Sequence, residues 1–146
     1  MDGIRSLFRG FRATASGMSA ERVRMDVISR NIANASTTRM PGSTEPMPYR
    51  RQVVHFAPIL AEVEGGKQEV RGVRVSEIGP DMNTPFEEVY DPTHPDSDRN
   101  GIVRMPNVNT MKEMADLVTA VRSYEANLSV QDTFERMADR ALRLAE

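Results

Sequence analysis

The sequence predicts an α+β fold in which long N- and C-terminal helices pair in a coiled-coil-like manner, with a small β-hairpin-based module inserted between them. Three observations predict it. All nine prolines lie between Pro41 and Pro106, so neither end of the chain carries one, and proline is the residue a helix interior tolerates least. Apolar residues recur with a helical period at both ends, and two β-prone runs flank Gly65-Gly66 in the middle. The implied segments are an N-terminal helix within 1–38, a loop-rich β module at 39–106 and a C-terminal helix within 107–146.

In the N-terminal segment Ile4, Phe11, Met18, Met25 and Ile32 recur every seven residues. Leu7, Ile28 and Ala35 fall three residues after members of that set, in the second seam position of a heptad, while Thr14 and Glu21 interrupt that second seam. Gly3, Gly10 and Gly17 also repeat by sevens; they weaken a helix but let another backbone come close. The middle segment carries Val53 and Val54, then Ile59 and Leu60, and beyond Gly65-Gly66 come Val70, Val73, Val75 and Ile78, which reads as a hairpin. Residues 86–90 and 102–105 add short strands. At the C-terminal end Met111, Met114, Val118, Val121, Leu128, Ala138, Leu142 and Ala145 lie near one helical stripe, with Leu117, Tyr124 and Phe134 at its edges. A helix of that length runs ~50 Å.

Charge follows the same division. Residues 1–40 carry seven basic and three acidic side chains, the middle seven and eleven, and the last forty five and seven, within a net charge of −2. Helices of opposite charge from the two ends are expected to pair, and their narrow stripes leave surface for other subunits. Hydrophobic residues make up 39% and aromatic ones 5%, with no Trp, so a large core within one chain is not expected. The net charge gives no reason to expect nucleic acid as a partner. No apolar run reaches the ~20 residues of a membrane helix, and no secretory-signal core precedes the helix; by those rules alone the chain would be cytoplasmic.

Catalytic and metal-binding patterns are weak. There are no cysteines, and the two histidines, His55 and His94, lie apart on a strand and in a proline-rich loop. Gly65-Gly66-Lys67 lacks a phosphate loop's first glycine, replaced by Ala61, and its Ser/Thr, replaced by Gln68. Glu87 and Glu88 are strand neighbours and point to opposite faces. No enzyme, cofactor or metal is expected. Asp96-Ser97-Asp98-Arg99-Asn100-Gly101 matches the opening of an EF-hand loop, yet the twelfth position is Asn107 rather than Glu, and Pro92, Pro95 and Pro106 stand where helices are required. The stretch is read as a turn, with Asn107 near the cap of the following helix and Glu113 and Asp116 in its early turns. A calcium-responsive module using this loop and a membrane-surface protein with a basic amphipathic N-terminal helix are the competing readings.

Four stretches together carry a family resemblance. Ser29-Arg30-Asn31-Ile32-Ala33-Asn34-Ala35-Ser36-Thr37 resembles the signature ending the N-terminal helix of flagellar rod and hook proteins, and Pro48-Tyr49-Arg50-Arg51 follows at the strand entry. Tyr90-Asp91-Pro92-Thr93-His94-Pro95-Asp96, continuing through Gly101-Ile102-Val103-Arg104-Met105-Pro106-Asn107-Val108, is similar to proximal-rod members of that family, and Ser123-Tyr124-Glu125-Ala126-Asn127 resembles its C-terminal helix motif. The resemblance implies a structural subunit of the bacterial flagellar basal-body rod, its terminal helices forming an inner α domain and its β module lying outside. It implies export by the flagellar type III apparatus without a cleaved signal and assembly in the periplasm, against the cytoplasmic expectation above. The implied partners are copies of the chain, other rod proteins and the export apparatus, with no nucleic acid and no membrane insertion. The residues expected at the assembly interface are Ile4, Phe11, Met18, Met25, Ile28, Asn31, Ile32, Asn34, Met114, Val121, Tyr124, Asn127 and Leu128, with Asn31 and Asn34 capping or bridging helices.

Overall fold

The computed structural model describes residues 2–43, 45–63 and 66–143, with side chains described for 9–43, 45–62, 66 and 68–143. The chain folds as helix α1 (Asp2–Ala33), strands β1 (Gln52–Val63), β2 (Lys67–Pro80), β3 (Glu87–Tyr90) and β4 (Ile102–Met105), then helix α2 (Thr110–Arg143). This is the expected α+β order. β1 and β2 form one two-stranded sheet, and β3 and β4 another. The hairpin strands run longer than the β-prone cores alone imply, with β1 continuing through Pro58. Gly66 takes the left-handed conformation the turn requires, at φ +73°; Gly65 lies outside the described residues. No helix among the described residues is long and apolar enough to cross a membrane.

Two compact units share these elements. The first comprises Met1–Met25, His55–Glu77 and Val118–Glu146. Here α1 presents Gly10 and Gly17 to α2: a Cβ at Gly10 would lie 2.5 Å from the Phe134 ring, and one at Gly17 would lie 3.1 Å from the Asn127 amide. The seven-residue glycine spacing thus makes notches for α2 side chains rather than the close backbone approach expected. On another side of α1 the Ser16 hydroxyl accepts the Val73 N–H (3.1 Å) and donates to the Ala13 carbonyl (2.7 Å), fixing β2 against the helix. Gly72 is needed there, because a Cβ would collide with the Ser16 hydroxyl.

The second unit comprises Asp26–Val54 and Ile78–Leu117. Its buried side chains include Val27, Ile28, Tyr49 and Val103, alongside the polar Asn31, Thr38, Asn107 and Glu113. β3 and β4 pair antiparallel with Val89 opposite Val103, and the Arg50 guanidinium lies 4.2 Å above the Phe86 ring, a cation–π contact. The stretch from Asp96 to Gly101 is a tight turn. Asp98 accepts the N–H groups of Asn100 and Ile102 (both 2.8 Å), and Gly101 sits at φ +77°. Asp96 accepts from Thr38 (2.8 Å) and from the Arg39 guanidinium. The carboxylates that imitate a calcium loop are therefore held by the chain's own donors.

The helix cap differs from expectation. Asn109, not Asn107, precedes α2: its side chain accepts the Lys112 N–H (3.0 Å) and its carbonyl the Glu113 N–H (2.9 Å). Asn107 instead accepts the Arg51 N–H (2.8 Å) and donates to the Asp81 and Thr84 carbonyls. These bonds commit Asn107 to the strand entry and the 81–84 loop, which leaves Asn109 to cap α2.

Replacing Asn109 by Ala removes one cap and is expected to cost about 1 kcal/mol in urea unfolding. Asn107→Ala removes hydrogen bonds to three part-buried backbone groups at once and is expected to cost more, about 2 kcal/mol. The reverse order would restore Asn107 as the cap.

The Asp96 carboxyl is held below the usual carboxylate range chiefly by the Thr38 hydrogen bond and then by Arg39, with desolvation opposing. Asp98 is lowered mainly by the Ile102 N–H, and Asp81 mainly by the Thr84 hydroxyl. Each ionises more readily folded than unfolded, so its contribution is fully present above pH ~4 and is lost as pH falls through the depressed folded values. Chemical denaturation across that acid range is expected to show stability falling, and Asp96→Asn is expected to flatten the slope. An unchanged slope in that variant would contradict this reading.

Candidate assembly interface

The α1 end is closed by the two asparagines of the Asn-Ile-Ala-Asn stretch, and they do different things. Asn34 caps the helix: its side-chain amide and its backbone N–H both donate to the Arg30 carbonyl (2.9 and 3.1 Å), one of the last carbonyls that a helix leaves without an internal partner. Thr37 then donates to the Asn34 oxygen (3.2 Å). Asn31, one turn earlier, is fully buried and bridges three segments. Its oxygen accepts the Tyr49 hydroxyl and the Gln52 N–H, and its amide donates to the Gln52 carbonyl and to Glu113, all at 2.9 Å. All four of its hydrogen-bonding positions are filled.

Glu113 completes this junction from the first turn of α2. It is fully buried, and its second oxygen accepts from Arg51 Nε at 2.7 Å. Arg51 also lies 3.6 Å from Asp81. A buried carboxylate is tolerated only when paired and hydrogen-bonded, and here both oxygens are engaged. Tyr49 is pushed above its ordinary hydroxyl pKa by burial, with Arg30 opposing and the Glu113 charge adding to the rise, so it stays a neutral donor to Asn31. The residues that sequence reasoning missed here are Tyr49, Arg51 and Glu113. The first two stand inside Pro48-Tyr49-Arg50-Arg51, and in sequence Glu113 reads only as an early-turn acid. The signal was an acid on the same α2 face as Leu117, Ala120 and Tyr124.

The other expected interface residues sort by exposure. Phe11, Met18, Met25, Ile32, Asn34, Tyr124 and Asn127 are half-buried, and Ile28 is buried within the chain. The Ile4 side chain lies outside the described residues. Met114, Val121 and Leu128 are exposed, at 48%, 37% and 44%. Met111 and Val118 share that stripe and are also exposed.

This corrects the expected seam of α2. The stripe from Met111 to Leu128, taken as the helix-pairing face, points outward. The inward face is built from Glu113, Leu117, Ala120, Tyr124, Asn127 and Phe134. The two faces lie about 100° apart, the step between neighbouring residues. Gly10 and Gly17 decide between them, because the notches they leave on α1 accept Phe134 and Asn127.

Glu113→Gln is expected to cost about as much as Glu113→Ala, on the order of 3 kcal/mol by denaturant titration. Both carboxylate oxygens face donors, so whichever position the new amide nitrogen takes opposes Asn31 or Arg51. A near-neutral Glu113→Gln would contradict the arrangement.

Comparison with known proteins bears on what this geometry serves. Residues 11–39 match the family described as flagella basal body rod protein, and residues 99–144 match the flagellar basal body rod FlgEFG protein C-terminal family. The chain is 41% identical to the flagellar basal-body rod protein FlgC of Bacillus subtilis, covering 95% of this chain and 98% of that one. It is 40% identical to FlgC of Borreliella burgdorferi, over 96% and 98% of the two chains. It is 33% identical to FlgC of Salmonella typhimurium, over 97% and 99%. Asn31, Asn34 and Tyr124 fall inside the matched segments, as does Glu113. With that identity along nearly the whole length, the chain belongs to the FlgC family of flagellar basal-body rod proteins.

Proposed function

We propose that the chain is a non-enzymatic structural subunit of the flagellar rod, in its proximal part, assembling by helix packing into a tubular shaft that transmits torque. The observation that carries the reading is the exposed apolar stripe of α2, on a chain whose full-length relatives are rod proteins. Contiguous exposed apolar surface marks a protein contact. Each such side chain, fully buried in an assembly, contributes roughly 1.5–3 kcal/mol before association costs are met.

In this reading the partners are further copies and other rod proteins, and segments 1–38 and 107–146 form the inner α domain with 39–106 as the outer β module. Phe11, Met18, Met25, Ile32, Met114, Val121, Tyr124 and Leu128 contribute to its contacts, while Asn31 and Asn34 hold the helix end that presents them. The chain travels through the flagellar type III apparatus without a cleaved signal and assembles in the periplasm.

The test uses exposed positions, so that folding and assembly separate. The double variant Val121→Asp, Leu128→Asp is expected to keep the far-UV circular dichroism spectrum and to melt within a few degrees of the parent chain. It is expected to be exported, yet to leave cells non-motile and without rods in electron micrographs. Normal motility in that variant would sink the interface assignment.

A further inference from the structure

An apolar groove of about 310 Å³ lies between α1 and the β1–β2 ribbon in the first unit. Ser16, Ser19, Ala20 and Val23 form its helical wall, and Ile59 and Val73 its strand wall. The Val73 N–H donates to the Ser16 hydroxyl, which in turn donates to the Ala13 carbonyl, so both polar groups at its floor are already paired. What the groove offers an occupant is therefore apolar contact. The space is wide enough for aliphatic side chains.

We propose that this groove receives α2 of a second copy of the chain, with Val121 and Leu128 as the inserted side chains. This rests on the reading of the chain as an assembling rod subunit. Charge complementarity selects the occupant. Arg74 lines the groove, and Arg12 and Arg22 stand exposed on α1 one turn from Ser16 and Ser19. On α2, Val121, Glu125, Leu128, Asp132 and Glu135 follow at alternating spacings of four and three, so two apolar side chains share one exposed face with three carboxylates. An apolar centre rimmed by acids faces an apolar groove rimmed by arginines.

The chain's own α2 does not reach this groove. It packs on the Gly10 and Gly17 side of α1, and Ser19 lies about 200° around the helix from Gly17 at ~100° per residue. Groove and stripe are thus different patches of one chain, so the contact is heterologous and propagates from copy to copy rather than closing as a dimer.

The chain contains no cysteine, which makes disulfide trapping clean. Ser19→Cys places a thiol in the groove, and Ser129→Cys places one between Glu125 and Asp132 on the α2 face. In basal bodies isolated from cells making the double variant, mild oxidation is expected to give a ladder of disulfide-linked multimers on non-reducing gels. Co-expressed single variants are expected to stop at dimers, and each single variant alone to stay monomeric. A double variant that is present in basal bodies but remains monomeric on oxidation overturns this contact and leaves the rod reading standing. Absence of the unmodified chain from basal bodies overturns the rod reading itself. In a second arm, Arg74→Glu is expected to lower the chain's recovery in basal bodies at least several-fold, with Asp132→Lys restoring it. Full recovery of Arg74→Glu would overturn the charge argument.

Discussion

The buried contact between Asn31 and Glu113 is the constraint on which the second unit depends. It joins the last turns of α1 to the first turn of α2, residues far apart in sequence, through one hydrogen bond of 2.9 Å inside a site closed to solvent. Glu113 cannot sit there without Arg51, and Arg51 is placed by Asn107, which accepts its backbone N–H. Asn31 in turn fixes Gln52, the first residue of β1, through both backbone groups. The start of the ribbon, the end of one helix and the beginning of the other are thus set by a single group of polar side chains. Hydrogen bonds are directional, so this group fixes register more narrowly than apolar contact alone.

The first unit solves a different problem by different means. Gly10 and Gly17 let α2 approach with Phe134 and Asn127 inward, so the more apolar stripe of α2 is left outside. The glycines thus decide which α2 side chains the chain's own fold buries and which it leaves exposed. On the other side of α1 the Ser16 hydroxyl holds β2 at a fixed distance, which keeps the apolar groove open.

Much of this was legible before any coordinates. Prolines confined to the middle of the chain marked two uninterrupted helices, and the four strands fell on the β-prone runs. The turn at Asp96 and Gly101 was readable because Asp, Asn and Gly have local reasons to bend a chain. Other features were not readable. The α2 seam was assigned to the most hydrophobic track, but the partner surface chose the neighbouring one, and the notch made by Gly10 becomes visible only once Phe134 stands against it. Asn31, Tyr49, Arg51 and Glu113 are each ordinary in sequence. Their meaning lies in the convergence of segments as many as 82 residues apart, for which no local period exists.

The central claim is that Asn31 and Glu113 act as one unit rather than as two separately buried polar groups. A double-mutant cycle with Asn31→Ala and Glu113→Ala, read by urea unfolding of the full chain, tests it most directly. The account predicts a coupling energy of at least ~1 kcal/mol, within the range found for residues sharing a buried network. Additivity within ~0.3 kcal/mol would contradict it and would return the definition of this junction to apolar packing alone.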